Sequence, residues 1–401
     1  MKIIADQNIY QVSEAFSGMG TVVTAPGYKI DREMLMGADM LLTRSATQIN
    51  KELLEGTPVK FAASATIGVD HVDTGFLREN CIGFAHAPGS NADSVAEYVT
   101  AALLEICVKS GRAPSDLTLG IVGVGNVGSR VCRRARSLGM ECVLNDPPKK
   151  AFTGNEIYRS LDETLERSDI ISIHVPLVEN GENPTFHIVN SEFVSRMKKG
   201  AAFINTSRGK VLDEKGFRTA CSRLGIIVFD VFENEPAISL ETLRLADIAT
   251  PHIAGHSLDG KLRGTDMIYA SANAFFFKRG SWDSEKCELH LQKKTIDLSK
   301  SKTPIYDGVK RAYSIMKDDE KLRHIYSIPE EEQAKFFEQL RSGYVKRLEF
   351  THFKLLMGEH QSKEAAIMKD LRFEIEVKTA AVKNEIDVKT AAVQDSAANP
   401  V

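Results

Sequence analysis

The stretch TLGIVGVGNVGSRVCRRARSLG at 118–139 decides the fold of this chain. An apolar strand, TLGIV, runs directly into GVGNVG at 123–128, and a helical segment follows. Gly123 allows a tight turn, Gly125 lets the backbone approach a pyrophosphate, and Gly128 permits close packing of the helix on the strand. The helix N-terminus adds unpaired amide donors and the positive end of the helix dipole. This combination predicts a dinucleotide-binding βαβ unit.

The type of dinucleotide follows from the end of the next strand. The segment ECVLND ends on Asp146, 18 residues after Gly128. An acid at this position accepts hydrogen bonds from both ribose hydroxyls and repels a 2′-phosphate. We therefore expect NAD rather than NADP. The alternative is a glycine-rich turn followed by an unrelated surface aspartate.

The composition is that of an ordinary globular chain. Its 401 residues allow two or three domains, and a net charge of −3 gives no basic field for nucleic acid or a membrane surface. The six cysteines include no CxxC pair and no metal-ligand spacing, which favours reduced thiols in the cytoplasm and no metal site. The first ten residues lack a signal-peptide pattern, and no run of 18 apolar residues occurs. We expect neither a signal peptide nor a transmembrane helix.

Strand and helix patterns alternate up to about residue 280, which indicates an α/β fold with parallel sheets. A first, smaller unit has apolar strand patterns at 2–5, 39–42 and 60–63. A second, doubly wound unit has them at 119–123, 141–145, 169–173, 201–205, 226–229 and 247–250. Long helical segments at 92–110 and about 258–278 link the two units. The active site is predicted in the cleft between them.

These patterns predict four regions. A discontinuous substrate-binding domain comprises 1–94 and 260–287, and an NAD-binding Rossmann domain comprises 95–259. A charge-rich, largely helical region at 288–375 is expected to be an appended α+β domain. The tail at 376–401 carries most of a tandem near-duplicate, EIEVKTAAVKN at 374–384 and EIDVKTAAVQD at 385–395. This repeat forms either a continuous helix or a partly disordered tail.

Polar side chains follow three strands of the second unit. Ligands bind at the carboxyl ends of strands in open α/β sheets, so these side chains should converge. Arg208 can hold a carboxylate bidentately. Glu235 can orient a histidine ring, and His252 is the base that takes a hydroxyl proton as hydride leaves the same carbon. Asp230 is expected near the nicotinamide, and the set predicts oxidation of a 2-hydroxy acid.

With these residues in place, the chain resembles the D-isomer-specific 2-hydroxyacid dehydrogenases. The matching segments are GVGNVGSR, HVPL, INTSRGKV, DVFENEP and TPHIAG. The resemblance implies catalytic roles for Arg208, Glu235 and His252. It also implies NAD contacts by Asn126, Val127, Asp146, Val175, Thr206, Ser207, Arg208, Asp230 and Gly255.

Further segments resemble one branch of this family, namely TRSAT at 43–47, ATIGVDHVD at 65–73, APGSNADSVAEYV at 87–99 and LNDPP at 144–148. The resemblance implies oxidation of 4-phospho-D-erythronate in pyridoxal 5′-phosphate biosynthesis, and dimerisation through the C-terminal domain. It places Ser45 and Thr66 against the substrate. His256 stands where the branch usually has a substrate-contacting tyrosine. Candidate phosphate ligands are Arg44, Lys261 and Arg263.

Two other functions are compatible with these residues. One is a related dehydrogenase, for instance one that acts on 3-phosphoglycerate, although the region after 288 lacks the βαββαβ pattern of a regulatory domain. The other is a non-catalytic protein that senses NADH through the same fold. His71 and His174 are expected to pack near the cleft and not to catalyse.

Overall fold

The computed structural model describes residues 1–277, 282, 293–345 and 347–378. The chain divides into two compact units. The first comprises Met1–Leu291 with Tyr313–Glu349, and the second comprises Gln292–Ala312 with Phe350–Val401. Residues 313–349, expected in the appended domain, therefore lie in the first unit.

A five-stranded parallel sheet forms the N-terminal part of the first unit, in the order β2-β1-β3-β4-β5. Its strands are β1 Lys2–Asp6, β2 Thr21–Ala25, β3 Met40–Thr43, β4 Phe61–Ser64 and β5 Gly83–His86. The helices between them are α1 Val12–Phe16, α2 Arg32–Leu35, α3 Lys51–Leu54 and α4 Thr74–Glu79. The last three begin on Asp31, Asn50 and Asp73, whose side chains accept backbone N–H groups of the first turn. The three predicted strands in this region are confirmed.

A six-stranded parallel sheet follows, in the order β11-β10-β9-β8-β6-β7. Its strands are β6 Thr118–Val122, β7 Glu141–Asn145, β8 Ile170–Ile173, β9 Ala202–Asn205, β10 Ile227–Phe229 and β11 Ile248–Ala249. The helices are α5 Ala92–Ser110, α6 Asn126–Ser137, α7 Pro147–Thr153, α8 Leu161–Arg167, α9 Ser191–Arg196, α10 Glu214–Ala220 and α11 Leu240–Leu245. The strand order reverses at β6, which marks the switch point where such sheets bind ligands. The doubly wound prediction is confirmed.

The helix α12, Leu258–Phe275, returns the chain to the first sheet. Ile268, Tyr269 and Ala272 on this helix are buried in the same apolar cluster as Ile3, Met40 and other residues of the five-stranded sheet. This packing agrees with the expected return of the chain to the smaller unit. The domain boundaries themselves stay a prediction.

Residues 313–349 pack on the six-stranded sheet. They contain α14 Ile315–Arg323 and α15 Glu330–Ser342. Phe337 is fully buried against Phe232 with ring centroids 6.1 Å apart, a contact whose burial contributes roughly 2–3 kcal/mol. Asp319 accepts a hydrogen bond from the backbone N–H of Ala249 on the edge strand β11, at 2.7 Å. The edge is thus covered.

The second unit contains a three-stranded parallel sheet in the order β12-β13-β14. Its elements are β12 Lys294–Asp297, α13 Pro304–Ala312, β13 Phe353–Gly358, α16 Ser362–Asp370 and β14 Glu374–Lys378. The first five residues of the tandem repeat therefore form a strand and not a helix. The remainder of the repeat lies outside the described residues.

Candidate active site

The glycine-rich turn has the geometry that the sequence predicts. Gly123 has φ +88°, which favours glycine, and a Cβ at Gly128 would lie 2.0 Å from the carbonyl oxygen of Gly123. A Cβ at Gly125 would meet nothing within 4 Å, so the space above the start of α6 is open. Packing therefore requires a glycine at position 128. Gly125 instead borders space that a dinucleotide phosphate could occupy. Asn126 and Val127 form the first turn of α6.

Asp146 lies at the end of β7 and also holds the glycine-rich turn. Its carboxylate accepts hydrogen bonds from the backbone N–H of Val124 at 2.8 Å and of Lys149 at 3.0 Å. The Lys149 ammonium donates to the Val124 carbonyl at 2.5 Å. The acid is therefore placed beside the turn, as an NAD ribose ligand must be, and remains half-buried.

His252 and Glu235 form a hydrogen-bonded pair. The distance from His252 Nδ1 to Glu235 Oε2 is 2.6 Å, and Glu235 Oε1 accepts the backbone N–H of Phe232 at 2.8 Å. Because Nδ1 bonds to the acid, Nε2 is the ring nitrogen left to exchange a proton with a ligand. The His252 side chain is 34% exposed, against 13% for Glu235, so the histidine lies on the open side of the pair.

The pair shifts the pKa values of both members. Burial opposes protonation of His252, but the charge and hydrogen bond of Glu235 outweigh it, so the pKa of the imidazole is raised. Burial likewise disfavours the Glu235 carboxylate, but His252 outweighs it and the pKa of the acid is lowered. The arrangement stabilises an imidazolium, the product of proton abstraction.

Asp230 lies beneath the loop that carries His252. It is 1% exposed, and its oxygens accept hydrogen bonds from the Thr250 hydroxyl at 2.6 Å, Ile253 N–H at 2.8 Å and Ala254 N–H at 3.0 Å. Its carbonyl accepts the N–H of His252 at 2.7 Å. The side chain therefore fixes the loop, and its predicted contact with the nicotinamide stays a prediction.

Arg208 follows β9 and reaches towards the five-stranded sheet. Its Nε donates to Asp70 Oδ2 at 3.0 Å, and Nη1 donates to the Ser207 carbonyl at 2.9 Å. Asn205 holds the turn, because its side-chain oxygen accepts from the N–H and hydroxyl of Ser207 at 3.0 and 2.9 Å. The Arg208 side chain is 32% exposed, and its guanidinium can bind an anion.

The two histidines that were expected to pack and not to catalyse, His174 and His71, both bond to serine hydroxyls. His174 Nε2 lies 2.9 Å from the Ser172 hydroxyl, and burial lowers the pKa of its ring to about 3. Its Nδ1 lies 3.5 Å from Thr206, and Val175 is next along the chain. His174 is therefore a neutral packing residue, as expected. His71 likewise bonds to Ser64, at 3.0 Å from Nε2 to the hydroxyl.

The two predicted substrate contacts of the first sheet differ in their surroundings. Thr66 bonds to Ser64 at 2.7 Å and donates to the Gly68 carbonyl at 2.9 Å, whereas Ser45 is exposed. Gly255 fits closely against Asn91, because a Cβ there would lie 2.1 Å from the amide nitrogen. The contacts of these residues with NAD and substrate remain predictions.

The candidate phosphate ligands separate into two groups. Arg263 is occupied, since it donates to the Ser90 carbonyl at 2.8 Å and to Glu349 at 3.1 and 2.5 Å. Arg44 and Lys261 instead lie close enough to His256 for their charges to lower its pKa, which burial already lowers. Arg341 acts on His256 in the same way, and it forms an ion pair with Glu235 at 3.8 Å. The sequence reasoning missed Arg341, which no motif marks.

Comparison with known proteins assigns the class. The profile described as "D-isomer specific 2-hydroxyacid dehydrogenase, NAD binding domain" matches residues 103–254. The fold resembles D-lactate dehydrogenase of Aquifex aeolicus, solved with NAD and lactic acid, with a TM-score of 0.58 and 27% identity over 69% of this chain and 96% of that one. It equally resembles NAD-bound 3-phosphoglycerate dehydrogenase of Entamoeba histolytica, with a TM-score of 0.58 and 27% identity over 70% and 96%. The chain belongs to the D-isomer specific 2-hydroxyacid dehydrogenase family and is an NAD-dependent oxidoreductase.

Two relatives that match most of the chain share a name more specific than that of the family. Erythronate-4-phosphate dehydrogenase of Salinibacter ruber is 38% identical over 94% of this chain and 99% of its own length. The enzyme of the same name from Chromohalobacter salexigens is 45% identical over 68% of this chain and 72% of its own. Within the described residues, no helix is both long and apolar enough to cross a bilayer.

Proposed function

We propose that this protein oxidises 4-phospho-D-erythronate to 3-hydroxy-2-oxo-4-phosphooxybutanoate, with reduction of NAD, in pyridoxal 5′-phosphate biosynthesis. The observation that carries the chemistry is the 2.6 Å hydrogen bond between Glu235 and His252. The substrate is inferred from the name of relatives that match at 38% identity over nearly the whole chain.

Three side chains perform the steps that the protein itself contributes. Arg208 binds the substrate carboxylate through its Nη end and orients the hydroxyl-bearing carbon. His252 Nε2 takes the hydroxyl proton, and Glu235 holds the Nδ1–H tautomer and stabilises the imidazolium that results. The nicotinamide of NAD, when bound, supplies the acceptor for the hydride. One proton and one hydride thus leave the substrate and a 2-oxo acid remains.

The residues present fit NAD. The turn at 123–128 leaves open space at Gly125, and Asp146 lies beside it with a carboxylate that can accept from ribose hydroxyls. Ser45, Thr66 and His256 would contact the remainder of the substrate. We infer that His256, in place of the usual tyrosine, contacts the substrate through its neutral ring.

A panel of 2-hydroxy acids tests this proposal. NADH formation should be fastest with 4-phospho-D-erythronate, and slower with 3-phosphoglycerate and with unphosphorylated D-glycerate. A clear preference for 3-phosphoglycerate would favour the related dehydrogenase. Binding of NADH without turnover of any acid would leave the NADH-sensing function.

We further propose a homodimer and a cytoplasmic location. The two solved relatives cover only 69–70% of this chain, and the C-terminal region is the part that the family resemblance implies to dimerise. The five described cysteines carry free thiols, which suits a reducing compartment. Sedimentation analysis of the full chain, which should give twice the monomer mass, checks the first proposal. We also propose that residues 1–94 with 260–287 form the substrate-binding domain and that residues 95–259 form the Rossmann domain.

A further inference from the structure

Three basic side chains from distant parts of the chain act electrostatically on His256. Arg44 directly follows strand β3, Lys261 lies in the first turn of α12, and Arg341 lies in the last turn of α15. The charges of all three disfavour protonation of His256. The Nδ1 atom of His256 is buried and has no hydrogen-bond partner among the described residues. Cations and an unpartnered polar atom therefore meet at one place beside the catalytic pair.

Among the described residues, the acidic partners of Arg341 make weak contacts with it. Within the described part of the chain it pairs with Glu235 at 3.8 Å and with Glu338 at 3.7 Å. Both distances exceed those of hydrogen bonds, so the five N–H donors of the guanidinium are not satisfied by these acids. Glu235 is already engaged at 2.6 Å by His252. Arg341 can therefore bind a stronger acceptor without disrupting the catalytic pair.

The surroundings of Arg44 also disfavour its positive charge. Burial lowers the pKa of its guanidinium, and the nearby charge of Arg341 lowers it further, while Asp6 and Glu338 oppose the shift. Arg341 and Arg44 are close enough for their charges to repel, and this repulsion destabilises the protein unless an anion offsets it. A dianion would remove this repulsion and would accept hydrogen bonds from both guanidinium groups.

We propose that Arg341, together with Arg44 and Lys261, forms the subsite for a phosphate monoester at the far end of the 2-hydroxy acid. The ion pair of Arg341 with Glu235 places this subsite next to the proton-transfer pair, within the length of a short substrate. The inference rests on the proposed function, since it assigns the ligands of the substrate phosphate. Arg341 is then a specificity-determining residue contributed by the segment 313–349.

A positioning role for Arg341 is the main alternative, because Arg341 also contacts Glu235. The two roles differ in their dependence on the substrate. Loss of a phosphate ligand affects only phosphorylated acids, whereas loss of support for Glu235 affects every 2-hydroxy acid. Comparison of phosphorylated and unphosphorylated substrates therefore separates them.

The first experiment measures kcat/KM of Arg341→Met with 4-phospho-D-erythronate and with D-glycerate. Removal of one charge-assisted contact should lower kcat/KM for the phosphorylated acid roughly 10- to 100-fold and should change that for D-glycerate by less than about threefold. Arg341→Lys should restore part of the loss. Lys335→Met, which removes an exposed charge from the same helix, is the matched control. Equal losses with both acids would overturn the subsite.

A second measurement does not depend on turnover. With NADH bound, so that the pyrophosphate site is filled, inorganic phosphate should raise the Tm of the wild-type protein and of Lys335→Met, but less that of Arg44→Lys. Absence of a rise in the wild-type protein would refute the subsite. Wild-type protein that oxidises neither acid but is stabilised by phosphate would refute the proposed function alone. Wild-type protein that prefers 4-phospho-D-erythronate, with a preference that Arg341→Met leaves unchanged, would refute only the phosphate subsite.

Discussion

Arg208 Nε donates to Asp70 Oδ2 at 3.0 Å, which joins the turn after β9 of the six-stranded sheet to the loop after β4 of the five-stranded sheet. The Asp70 side chain is 53% exposed and that of Arg208 is 32% exposed, so the ion pair itself contributes at most about 1 kcal/mol. Its importance is geometric. The pair uses Nε, and Nη1 donates to the Ser207 carbonyl, so Nη2 is the nitrogen most available to a substrate carboxylate.

Gly68 tests this orientation. A Cβ at Gly68 would lie 1.9 Å from Arg208 Nη2, the flexible end of a side chain, so we expect Gly68→Ala to displace the guanidinium without unfolding the protein. Loss of a charge-assisted contact should lower kcat/KM roughly 10- to 100-fold, mainly through KM. Gly75→Ala is the control, because its Cβ would meet Asp73 at 3.4 Å, an ordinary contact. Unchanged KM in Gly68→Ala would show that Arg208 does not bind the carboxylate in this orientation.

His252→Asn should abolish most of the activity and leave the fold intact. His252 has φ +55°, a conformation that asparagine tolerates well, so the substitution removes the base with little backbone strain. Loss of a general base lowers kcat by roughly 10²–10⁴. Steady-state kinetics and NADH fluorescence titration should show the loss of turnover with the NADH affinity unchanged.

His187→Asn provides the matched control for that substitution. His187 has φ +52° and pairs with Glu233 at 2.8 Å, so it reproduces the conformation and the acid partner away from the proposed proton transfer. Its kcat should remain within about twofold of the wild-type value, which is a small change beside the expected loss for a general base. A His252→Asn enzyme that keeps more than a tenth of wild-type kcat would argue against His252 as the base.

The pH dependence of oxidation should depend on Glu235. The base acts only when His252 is neutral, and Glu235 raises the pKa of His252 above its usual 6.5. Activity, measured as kcat/KM against pH, should therefore rise with pH through a midpoint above 6.5. In Glu235→Gln the raising charge is absent while burial still lowers the pKa, so the midpoint should move to lower pH. If the midpoint did not change, Glu235 would not be the group that sets the pKa of the catalytic base.

The sequence predicted much of the sheet structure and the catalytic pair, for a physical reason. Apart from the start of β7, strands β6 to β11 are mainly apolar runs that are almost entirely buried, and the carboxyl ends of parallel strands meet at one edge. Residues that follow those strands, such as Glu235 and His252, therefore converge whatever the exact packing. The same logic did not reveal that backbone N–H groups of the next loop engage the Asp230 carboxylate, and the contact of Asp230 with the nicotinamide stays a prediction.

Contacts between distant segments were not predictable in this way. Arg341 lies far along the chain from Glu235, on a helix without a motif, and its position depends on how 313–349 packs against the sheet. Strands β2 and β5 were also missed, since Thr21–Ala25 is largely exposed and Gly83–His86 has a glycine and a histidine in only four residues. Neither strand has the continuous apolar pattern that identifies a buried strand.

Glu349 should be important for stability. It is 2% exposed and accepts hydrogen bonds from Ser94 at 2.7 Å, Ser257 at 3.1 Å and Arg263. Glu349→Ala removes one partner of a largely buried ion pair and should lower the free energy of unfolding by about 3 kcal/mol. We take the low end of the usual range because the Arg263 side chain is 37% exposed and can be hydrated. Urea unfolding checks this, with the exposed Glu331→Ala as control; equal midpoints for the two variants would contradict it.

Gly125 and Gly128 should respond differently to the same substitution. A Cβ at Gly128 would collide with the backbone carbonyl of Gly123 at 2.0 Å, so Gly128→Ala must shift the turn or the helix and should lower the Tm. At Gly125 nothing lies within 4 Å, so Gly125→Ala should keep nearly the wild-type Tm in the absence of cofactor. The added methyl group would instead occupy the space through which the pyrophosphate approaches, and the Kd for NADH should rise at least about tenfold. Melting curves with and without NADH distinguish the two effects, and a Gly125→Ala protein that NADH stabilises as fully as wild type would show that the dinucleotide does not pass over this turn.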